Sequence, residues 1–294
     1  MDILRYENAN LNNTAVALGK FQGLHKGHML LIGEVLRLSY EEDLNSVVFT
    51  IDMPQEKAIN LPVERYHILE DCGIDYNVSC EFSKEFASMS PREFVENILI
   101  NKLDAKYVVV GTDFRFGNKR AGDVSLLKSY GEEYGFFVVA IDKLAIDDII
   151  VSSTYIRELI SVGNMKAVSR YMGRDYFING KVMRGKQLGR TIGFPTANII
   201  PDSSKLLPPF GAYYTEVEVE GSIYKAITNV GNNPTIDENN HITVEANIIE
   251  FSDDIYDKDI TIYFIDFIRG EMKFTDIEEL KKQLEIDRTV VLHQ

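Results

Sequence analysis

The sequence predicts an α/β domain followed by a β domain and a terminal helix. Over residues 1–174, strand-like and helix-like segments alternate, which predicts a parallel sheet with helices on both faces. Over residues 175–294, turn residues recur between short segments of alternating polarity, which predicts a small antiparallel, barrel-like sheet. An amphipathic pattern near the C-terminus predicts the helix. We therefore expect two domains, at 1–174 and 175–294.

Hydrophobic patterning places the elements of the first domain. Residues 107–111 form a continuous apolar run, as expected for a strand buried on both faces. Ser90 followed by Pro91 is a typical helix start. The predicted strands are 14–19, 46–50, 76–79, 106–111 and 136–141. The predicted helices lie near 27–40, 63–72, 91–103, 123–134, 153–160 and 165–171, and the last two are closed by Gly163 and Gly173.

The second domain shows period-two patterning. Strands are expected at 214–219, 224–230 and 260–267, and Gly221-Ser222 is typical of a hairpin turn. The terminal helix is expected over 277–284 with Thr275 as its N-cap.

Composition limits the class of protein. The 294 residues are 45% apolar and carry a formal net charge of −14, which argues against nucleic acid as the main partner. No apolar run is long enough for a membrane span, and the N-terminus lacks the apolar stretch of a signal peptide. The two cysteines, Cys72 and Cys80, have no metal-binding spacing, so we expect a reduced, cytoplasmic protein.

The most informative motif is His25-Lys26-Gly27-His28, which follows the first predicted strand and a glycine-bearing loop. A helix N-terminus exposes free N–H groups and a positive dipole end, so it attracts phosphate. Gly27 lets the backbone approach a ligand closely. A zinc pair is a weaker alternative, because helical zinc motifs space their histidines four apart with a Glu between them. Two histidines satisfied by local hydrogen bonds are the other alternative.

Two more loops follow predicted strands, and ligands of open parallel sheets bind where such strands end. The first is 111–117. The second contains Ser152, Ser153 and Thr154, whose hydroxyls can cap a helix and donate to phosphate, with Arg157 one turn further on. Basic islands at 115–120 and 184–190 are candidate sites for a phosphorylated small molecule in an acidic chain. An ordinary helix cap and solvated surface turns remain the alternatives.

The second domain contains a hydroxyl–amide motif and an isolated carboxylate. In 193–198, Pro195 stiffens the approach to Thr196, and alternation turns Thr196 and Asn198 to one side. Their oxygens suit Mg²⁺ held with nucleotide phosphates. Glu245 lies among apolar residues and is a candidate general base for a hydroxyl nucleophile. A plain turn into a strand, and an exposed edge-strand Glu, are the alternatives.

Six motifs occur together in one order and cover nearly the whole chain, which resembles the bacterial bifunctional riboflavin kinase / FAD synthetase family. The motifs are Gly19-x-Phe21-x-Gly23-x-His25-x-Gly27-His28, Gly111-x-Asp113-Phe114-x-Phe116-Gly117, Ser152-Ser153-Thr154-x-Ile156-Arg157, Gly193-Phe194-Pro195-Thr196-Ala197-Asn198, Asn233-Pro234-Thr235 and Val244-Glu245. The resemblance implies a Rossmann-like nucleotidylyltransferase domain followed by a Greek-key β-barrel kinase domain.

The resemblance also implies two reactions. The C-terminal domain would phosphorylate riboflavin to FMN with ATP, with Glu245 activating the hydroxyl and with Mg²⁺ bound by Thr196 and Asn198. The N-terminal domain would adenylylate FMN to FAD and release pyrophosphate, with His25, His28 and Arg157 stabilising the polyphosphate. The other implied nucleotide-binding residues are Gly19, Phe21, Gly23, Gly27, Asp113, Ser152, Ser153, Thr154, Gly193 and Pro195. The implied flavin-binding residues are Phe114, Phe116, Arg184 and Arg190.

The chain departs from the family pattern at several positions. Lys20 and Gln22 stand where the family has Asn and Asp, and a Pro-His-Pro element after the second strand is missing. Ala246-Asn247 replaces the usual Thr-His, and Glu250 stands for the usual Asp. Three interpretations therefore remain open: a bifunctional enzyme, an enzyme that has lost one activity (adenylyl transfer, in view of Gln22 and the missing His), and a non-catalytic flavin- or nucleotide-binding regulator. The sequence leaves the oligomeric state open.

Overall fold

The computed structural model describes residues 1–53, 57–184, 193–232 and 242–294. The chain divides into two compact units, Met1–Ser153 and Thr154–Gln294. The domain boundary expected after residue 174 stays a prediction. Among the described residues, no helix has the length and apolar character needed to cross a membrane.

The first unit is built on a parallel sheet, as predicted, but the sheet has six strands and not the five that the sequence predicts. Its strands are β1 (Asp2–Arg5), β2 (Thr14–Gly19), β3 (Asn45–Asp52), β4 (Tyr76–Glu81), β5 (Ala105–Gly111) and β8 (Phe137–Ile141), in the order β1-β4-β3-β2-β5-β8. Two small hairpins pair β6 (Arg115–Phe116) with β7 (Gly122–Asp123), and β9 (Ala145–Ile146) with β10 (Ile149–Ile150). The helices are α1 (Lys26–Glu42), α2 (Pro62–Asp71), α3 (Lys84–Ser88), α4 (Pro91–Phe94) and α5 (Val124–Tyr134), and short 3-10 turns lie at Tyr6–Asn8 and Asn118–Arg120.

Both faces of this sheet are buried. Val16 and Leu18 of β2 join one hydrophobic cluster, whereas Ala15 and Ala17 join the other. Successive strand residues point to opposite faces, so a strand covered on both sides must be apolar throughout. This explains why residues 15–18 of β2 and 107–111 of β5 are continuous apolar runs, and it confirms the expected Rossmann-like sheet.

One predicted helix of the first unit differs in its geometry. The segment predicted as a helix over 91–103 is α4 followed by a π-helical turn, Val95–Ile100. Ser90 caps α4 as expected, with Glu93 completing a capping box. The wider turn keeps Val95, Ile98 and Leu99 buried in the core.

The second unit is an antiparallel sheet. Along the chain, two helices precede its first strand and one helix follows its last strand. It begins with α6 (Ser153–Ser161), whose first residue belongs to the first unit, and α7 (Met165–Met172). Its strands are β11 (Tyr176–Lys181), β12 (Ala197–Ile199), β13 (Gly211–Val219), β14 (Ser222–Asn232), β15 (Ile242–Ile248) and β16 (Asp259–Gly270), in the order β11-β16-β13-β14-β15-β12. The sheet curls as a half-barrel, and an antiparallel bridge from Met183 to Asn198 links the chain just after β11 to the opposite edge strand β12.

The terminal helix α8 (Ile277–Leu292) packs on one face of this sheet. Val291 of the helix forms a cluster with Tyr214, Ile227 and Ile249. We call this side of the sheet the helix face. Arg269 of β16 anchors α8 through a bidentate pair with Asp287, in which Nη2 lies 2.8 Å from Oδ2.

Three local predictions in the second unit were wrong. The N-cap of α8 is Asp276, whose Oδ1 accepts from the N–H of Glu279 at 2.8 Å, and not Thr275. The helix also continues to Leu292 rather than ending at 284. The hairpin turn is centred on Glu220 and Gly221, both with positive φ, whereas Ser222 already pairs with Val219.

Candidate active sites

The loop from β2 to α1 is held in a fixed shape by its own buried side chains. Phe21 and Leu24 adopt left-handed φ values of 46° and 39°, which L-residues rarely do, and both side chains are buried. Gly23 has φ of 79°, and a Cβ there would lie 3.2 Å from Ile59. Backbone strain of this kind is stored at sites where the surroundings over-determine the conformation.

Two stacked imidazoles lie where this loop meets the N-terminus of α1. The rings of His25 and His28 are 3.7 Å apart and tilted by 13°. His25 is the N-cap, and its Nδ1 accepts from the N–H of His28 at 3.3 Å. A Cβ at Gly27 would lie 3.2 Å from Nδ1 of His25, so only glycine leaves the ring in this place. Both histidines therefore lie at the positive end of the helix dipole.

Ser153 connects the same loop to the start of α6. Its Oγ donates to the backbone oxygen of Gln22 at 2.7 Å. We expected this hydroxyl to contact phosphate. It also holds the backbone of Gln22, the residue that stands where the family pattern has Asp. Ser152 precedes the helix in the first unit, and Thr154 and Arg157 belong to the second unit.

Arg157 is a partly buried guanidinium. Burial lowers its pKa from the usual value, and the nearby Tyr176 phenol acts in the opposite direction. Because the ordinary pKa of arginine lies far above neutral pH, the group keeps its charge there.

The loop after β5 lies at the same sheet edge as the histidine loop. β5 pairs with β2 in parallel, so Gly111 and Gly19 end adjacent strands. Asp113 forms an exposed ion pair with Lys143, with Nζ 2.8 Å from Oδ2. The structure brings these two loops together as predicted.

The aromatic residues of the 111–117 loop differ in exposure. The rings of Phe114 and Phe116 stack with centroids 5.8 Å apart. Phe116 is buried in the core against Phe94, whereas Phe114 is only partly buried. Phe116 therefore supports Phe114 and offers little surface of its own to a ligand.

In the second unit, one row of polar side chains crosses three strands. Asn198 of β12 pairs with Glu245 of β15, and Glu245 pairs with Asn229 of β14. Paired residues lie on the same side of a sheet with their Cβ atoms about 5 Å apart. The Nδ2 of Asn198 donates to both O and Oγ1 of Thr196 at 3.2 Å. The structure thus brings together the three kinase residues that the sequence singled out.

Two cavities border the 193–198 segment, and Glu245 lines neither of them. The larger, about 320 Å³, is lined by Thr196 and Asn198 and by the loop over 251–256. The guanidinium carbon of Arg184 lies 5.0 Å from the ring centroid of Tyr256 in its wall. The smaller, 280 Å³, lies beside Gly193, Asn247 and Arg288, and Pro195 borders both cavities. Arg190 and Asn233-Pro234-Thr235 lie outside the described residues.

The zinc alternative for the histidine pair gains no support. Within the described ranges there is no group of three or more His, Cys, Asp or Glu side chains that could hold a metal ion. Phosphate recognition needs no such group, because the helix N-terminus supplies N–H donors.

Sequence reasoning missed three residues at these sites. Asn229, Asn247 and Lys143 were not singled out. Asn247 follows Glu245 by two positions, so strand alternation could have placed both on one face. Asn229 and Lys143 gave no such local signal, because their placement depends on which strands become neighbours.

The chain is a two-domain protein with an α/β unit, which carries the histidine pair, and a curled β unit, which carries the row of polar side chains. The sequence model of FAD synthetase matches residues 7–155, and that of riboflavin kinase matches residues 172–293. The chain belongs to the bifunctional riboflavin kinase/FMN adenylyltransferase family.

Relatives with that name match along nearly their whole length. The protein of Buchnera aphidicola subsp. Acyrthosiphon pisum is 34% identical over 95% of this chain and 93% of its own. Those of Bacillus subtilis and Haemophilus influenzae are each 32% identical, over 94% and 98% of this chain and 90% and 97% of their own.

A solved structure has the same fold throughout. The crystal structure of a protein from Streptococcus pneumoniae, named a macrolide-efflux protein, matches with a TM-score of 0.90 and 29% identity. The match covers 100% of both chains. The efflux name describes that protein and carries no function to this chain.

Proposed function

We propose that this chain phosphorylates riboflavin to FMN with ATP in its second unit, and joins AMP from a second ATP to FMN in its first unit. The observation that carries the proposal is the placement of Thr196, Asn198 and Glu245 together in the unit that matches riboflavin kinase. The stacked His25 and His28 lie in the other unit, which matches FAD synthetase.

In the kinase half, Glu245 is the proposed general base. Its carboxylate takes the proton from the 5′-hydroxyl of riboflavin as that oxygen attacks the γ-phosphorus of ATP, and ADP leaves. Thr196 and Asn198, beside the larger cavity, hold the nucleotide in line with the hydroxyl. Arg184 and Arg190 are proposed to contact the flavin, although Arg184 borders the larger cavity through Tyr256. Positioning and charge stabilisation then account for most of the rate.

The residues of this site fit Mg²⁺. Because the Nδ2 of Asn198 is engaged by Thr196, its Oδ1 is the atom suited to a hard cation, and the Thr196 hydroxyl oxygen is a second such atom. Mg²⁺ prefers oxygen ligands and usually binds through one or two protein groups together with nucleotide phosphates. Thr196 and Asn198 would hold the ion, which would neutralise phosphate charge.

In the adenylyl-transfer half, the FMN phosphate attacks the α-phosphorus of ATP and pyrophosphate leaves. His25, His28 and the N–H groups of α1 stabilise the charge that develops on the polyphosphate. Asp113 is proposed to help hold the nucleotide, and Phe114 the flavin. Gly19, Phe21, Gly23 and Gly27 shape the loop. No covalent intermediate is required.

A product assay tests both activities. Purified protein is incubated with riboflavin, ATP and Mg²⁺, and the flavins are separated by chromatography. FMN followed by FAD is the expected result. FMN without FAD would show that adenylyl transfer has been lost, as Gln22 and Lys20 suggest. Quenched flavin fluorescence without any product would favour a binding protein over an enzyme.

A further inference from the structure

We propose that Asn247 is a positioning residue of the kinase site, holding the Thr196–Asn198 segment at a fixed distance from Glu245. This inference rests on the proposed kinase function. It concerns how the segment that carries Thr196 and Asn198 is held relative to Glu245. It also gives a role to Asn247, which stands where the family usually has His.

One hydrogen bond carries the inference. The Nδ2 of Asn247 donates to the backbone oxygen of Pro195 at 2.7 Å, and Asn247 is 7% exposed. Proline has no N–H, so this oxygen is the only polar backbone atom by which Pro195 can be held. Because Pro195 is itself exposed, loss of this donor would leave its carbonyl to water and would free Pro195 to move.

Asn247 connects the two parts of the site directly. It lies two residues after Glu245 on β15, so both side chains project from the same face of the strand. Pro195 immediately precedes Thr196. The bond therefore joins the strand that carries the base to the segment that carries the nucleotide ligands.

The other end of that segment, at Asn198, is held by different hydrogen bonds. Asn198 is held by its bonds to Thr196, and its backbone oxygen accepts from the N–H of Met183 at 2.8 Å. Pro195 also borders both cavities, so a shift there would change the wall that they share. Loss of the Asn247 donor is expected to move Pro195 and Thr196 while β12 stays paired.

A purely structural role predicts a different result. A structural hydrogen bond would lower stability when removed and leave the affinity for ATP unchanged. A positioning bond lowers affinity for nucleotide at this site while leaving adenylyl transfer in the first unit intact. The two roles are separated by nucleotide affinity measured on folded protein.

The test uses Asn247→Asp, which keeps the shape but replaces the donor by an acceptor, and Asn247→Ala, which removes the donor without adding charge. Asn247→His restores ring N–H donors. Thr215→Val is the matched control, since it breaks a buried hydroxyl pair with Thr228, 2.6 Å apart, elsewhere in the same sheet. Each full-length variant is assayed for the KM for ATP in FMN formation, and for binding of a non-hydrolysable ATP analogue with Mg²⁺.

We expect Asn247→Asp and Asn247→Ala to raise the KM for ATP about ten-fold, the effect of one lost hydrogen bond. The same change should appear in the analogue's Kd, with FMN-to-FAD conversion unchanged and Asn247→His close to wild type. Unchanged KM and Kd in both donor-less variants, or a His variant as impaired as the Asp variant, would overturn the proposal. A wild-type protein that binds the analogue at this site but makes no FMN would overturn the proposed function alone.

Discussion

The two proposed sites both act on the phosphates of ATP, but they are built from different structural elements. In the first unit, one short loop and one helix terminus supply the histidine pair, and the loop has left-handed φ at Phe21 and Leu24. In the second unit, three strands supply one side chain each, and regular pairing aligns Asn198, Glu245 and Asn229. The first site is local in sequence, whereas in the second Asn198 and Asn229 are 31 positions apart and Asn229 and Glu245 are 16 positions apart.

This difference determines how each site should fail. Within a loop that depends on close contacts, a single added methyl group can move the catalytic rings. In the row of side chains across the second sheet, the distances between the side chains depend on strand register and on the helix that covers the sheet. Substitutions at one site should therefore lower the rate of one reaction and leave the other unchanged. We expect the largest decreases in rate where a charged or proton-transferring group is removed, and smaller decreases where only packing changes.

Glu245→Gln tests the separation with the largest expected effect. Removing a general base slows proton transfer by about 10²–10⁴-fold, so FMN formation should fall by that factor. FMN-to-FAD conversion should be unchanged. Because the group acts mainly in the transition state, kcat should fall more than KM rises. The measurement is initial rate for each half-reaction with its own flavin substrate.

A matched control is Glu216→Gln, which neutralises a carboxylate on β13 of the same sheet, away from the row. It should leave both rates near wild type. Loss of both activities in Glu245→Gln would contradict separate sites.

His28→Ala should produce the converse. Removal of one group that stabilises charge in a transition state costs about 10²–10³-fold, here in the rate of FAD formation from FMN. Riboflavin phosphorylation should be unaffected. The exposed His67 on α2 provides the control, and His67→Ala should leave FAD formation unchanged. An equal loss in both histidine variants would refute a role for the stacked pair.

The sequence predicted those parts of the fold that are decided locally. β2 was predicted at its observed bounds, because a strand buried on both faces is apolar throughout. β1 was missed, since it is short, lies at the sheet edge and carries charged Asp2 and Arg5. The helix cap was misplaced by one residue, because Thr275 and Asp276 are both good caps and local chemistry does not choose between them.

The candidate sites follow the same rule. The histidine pair was evident because its parts lie within four residues. The bond from Asn247 to Pro195 was not, because it spans 52 positions and depends on β12 pairing with β15. The end of α8 was also missed, since Asp287 interrupts the apolar pattern and is buried against its partners Arg269 and Gln283.

Asp287→Ala tests whether the kinase site depends on the terminal helix. Asp287 is fully buried and also accepts from the Nε2 of Gln283 at 2.9 Å. Breaking a buried ion pair by removing one partner costs about 3–5 kcal/mol in the free energy of unfolding. The loss of kinase activity with urea should therefore occur at lower concentration, while the loss of adenylyl transfer should not shift. A parallel shift of both activities would show that the two units unfold together.

Gly27→Ala has the smallest expected effect and tests the loop most directly. The added Cβ would lie 3.2 and 3.3 Å from two ring atoms of His25, so the ring must move by a few tenths of an ångström. A small misplacement of catalytic groups lowers rate, here by about ten-fold in FMN-to-FAD conversion. Gly33→Ala, on the same helix with no atom within 4 Å of the added Cβ, is the control. Alanine favours the helix at both positions, so thermal stability should not fall in either variant. Equal FAD formation by the two variants would mean that the close approach of Gly27 to His25 has no part in the reaction.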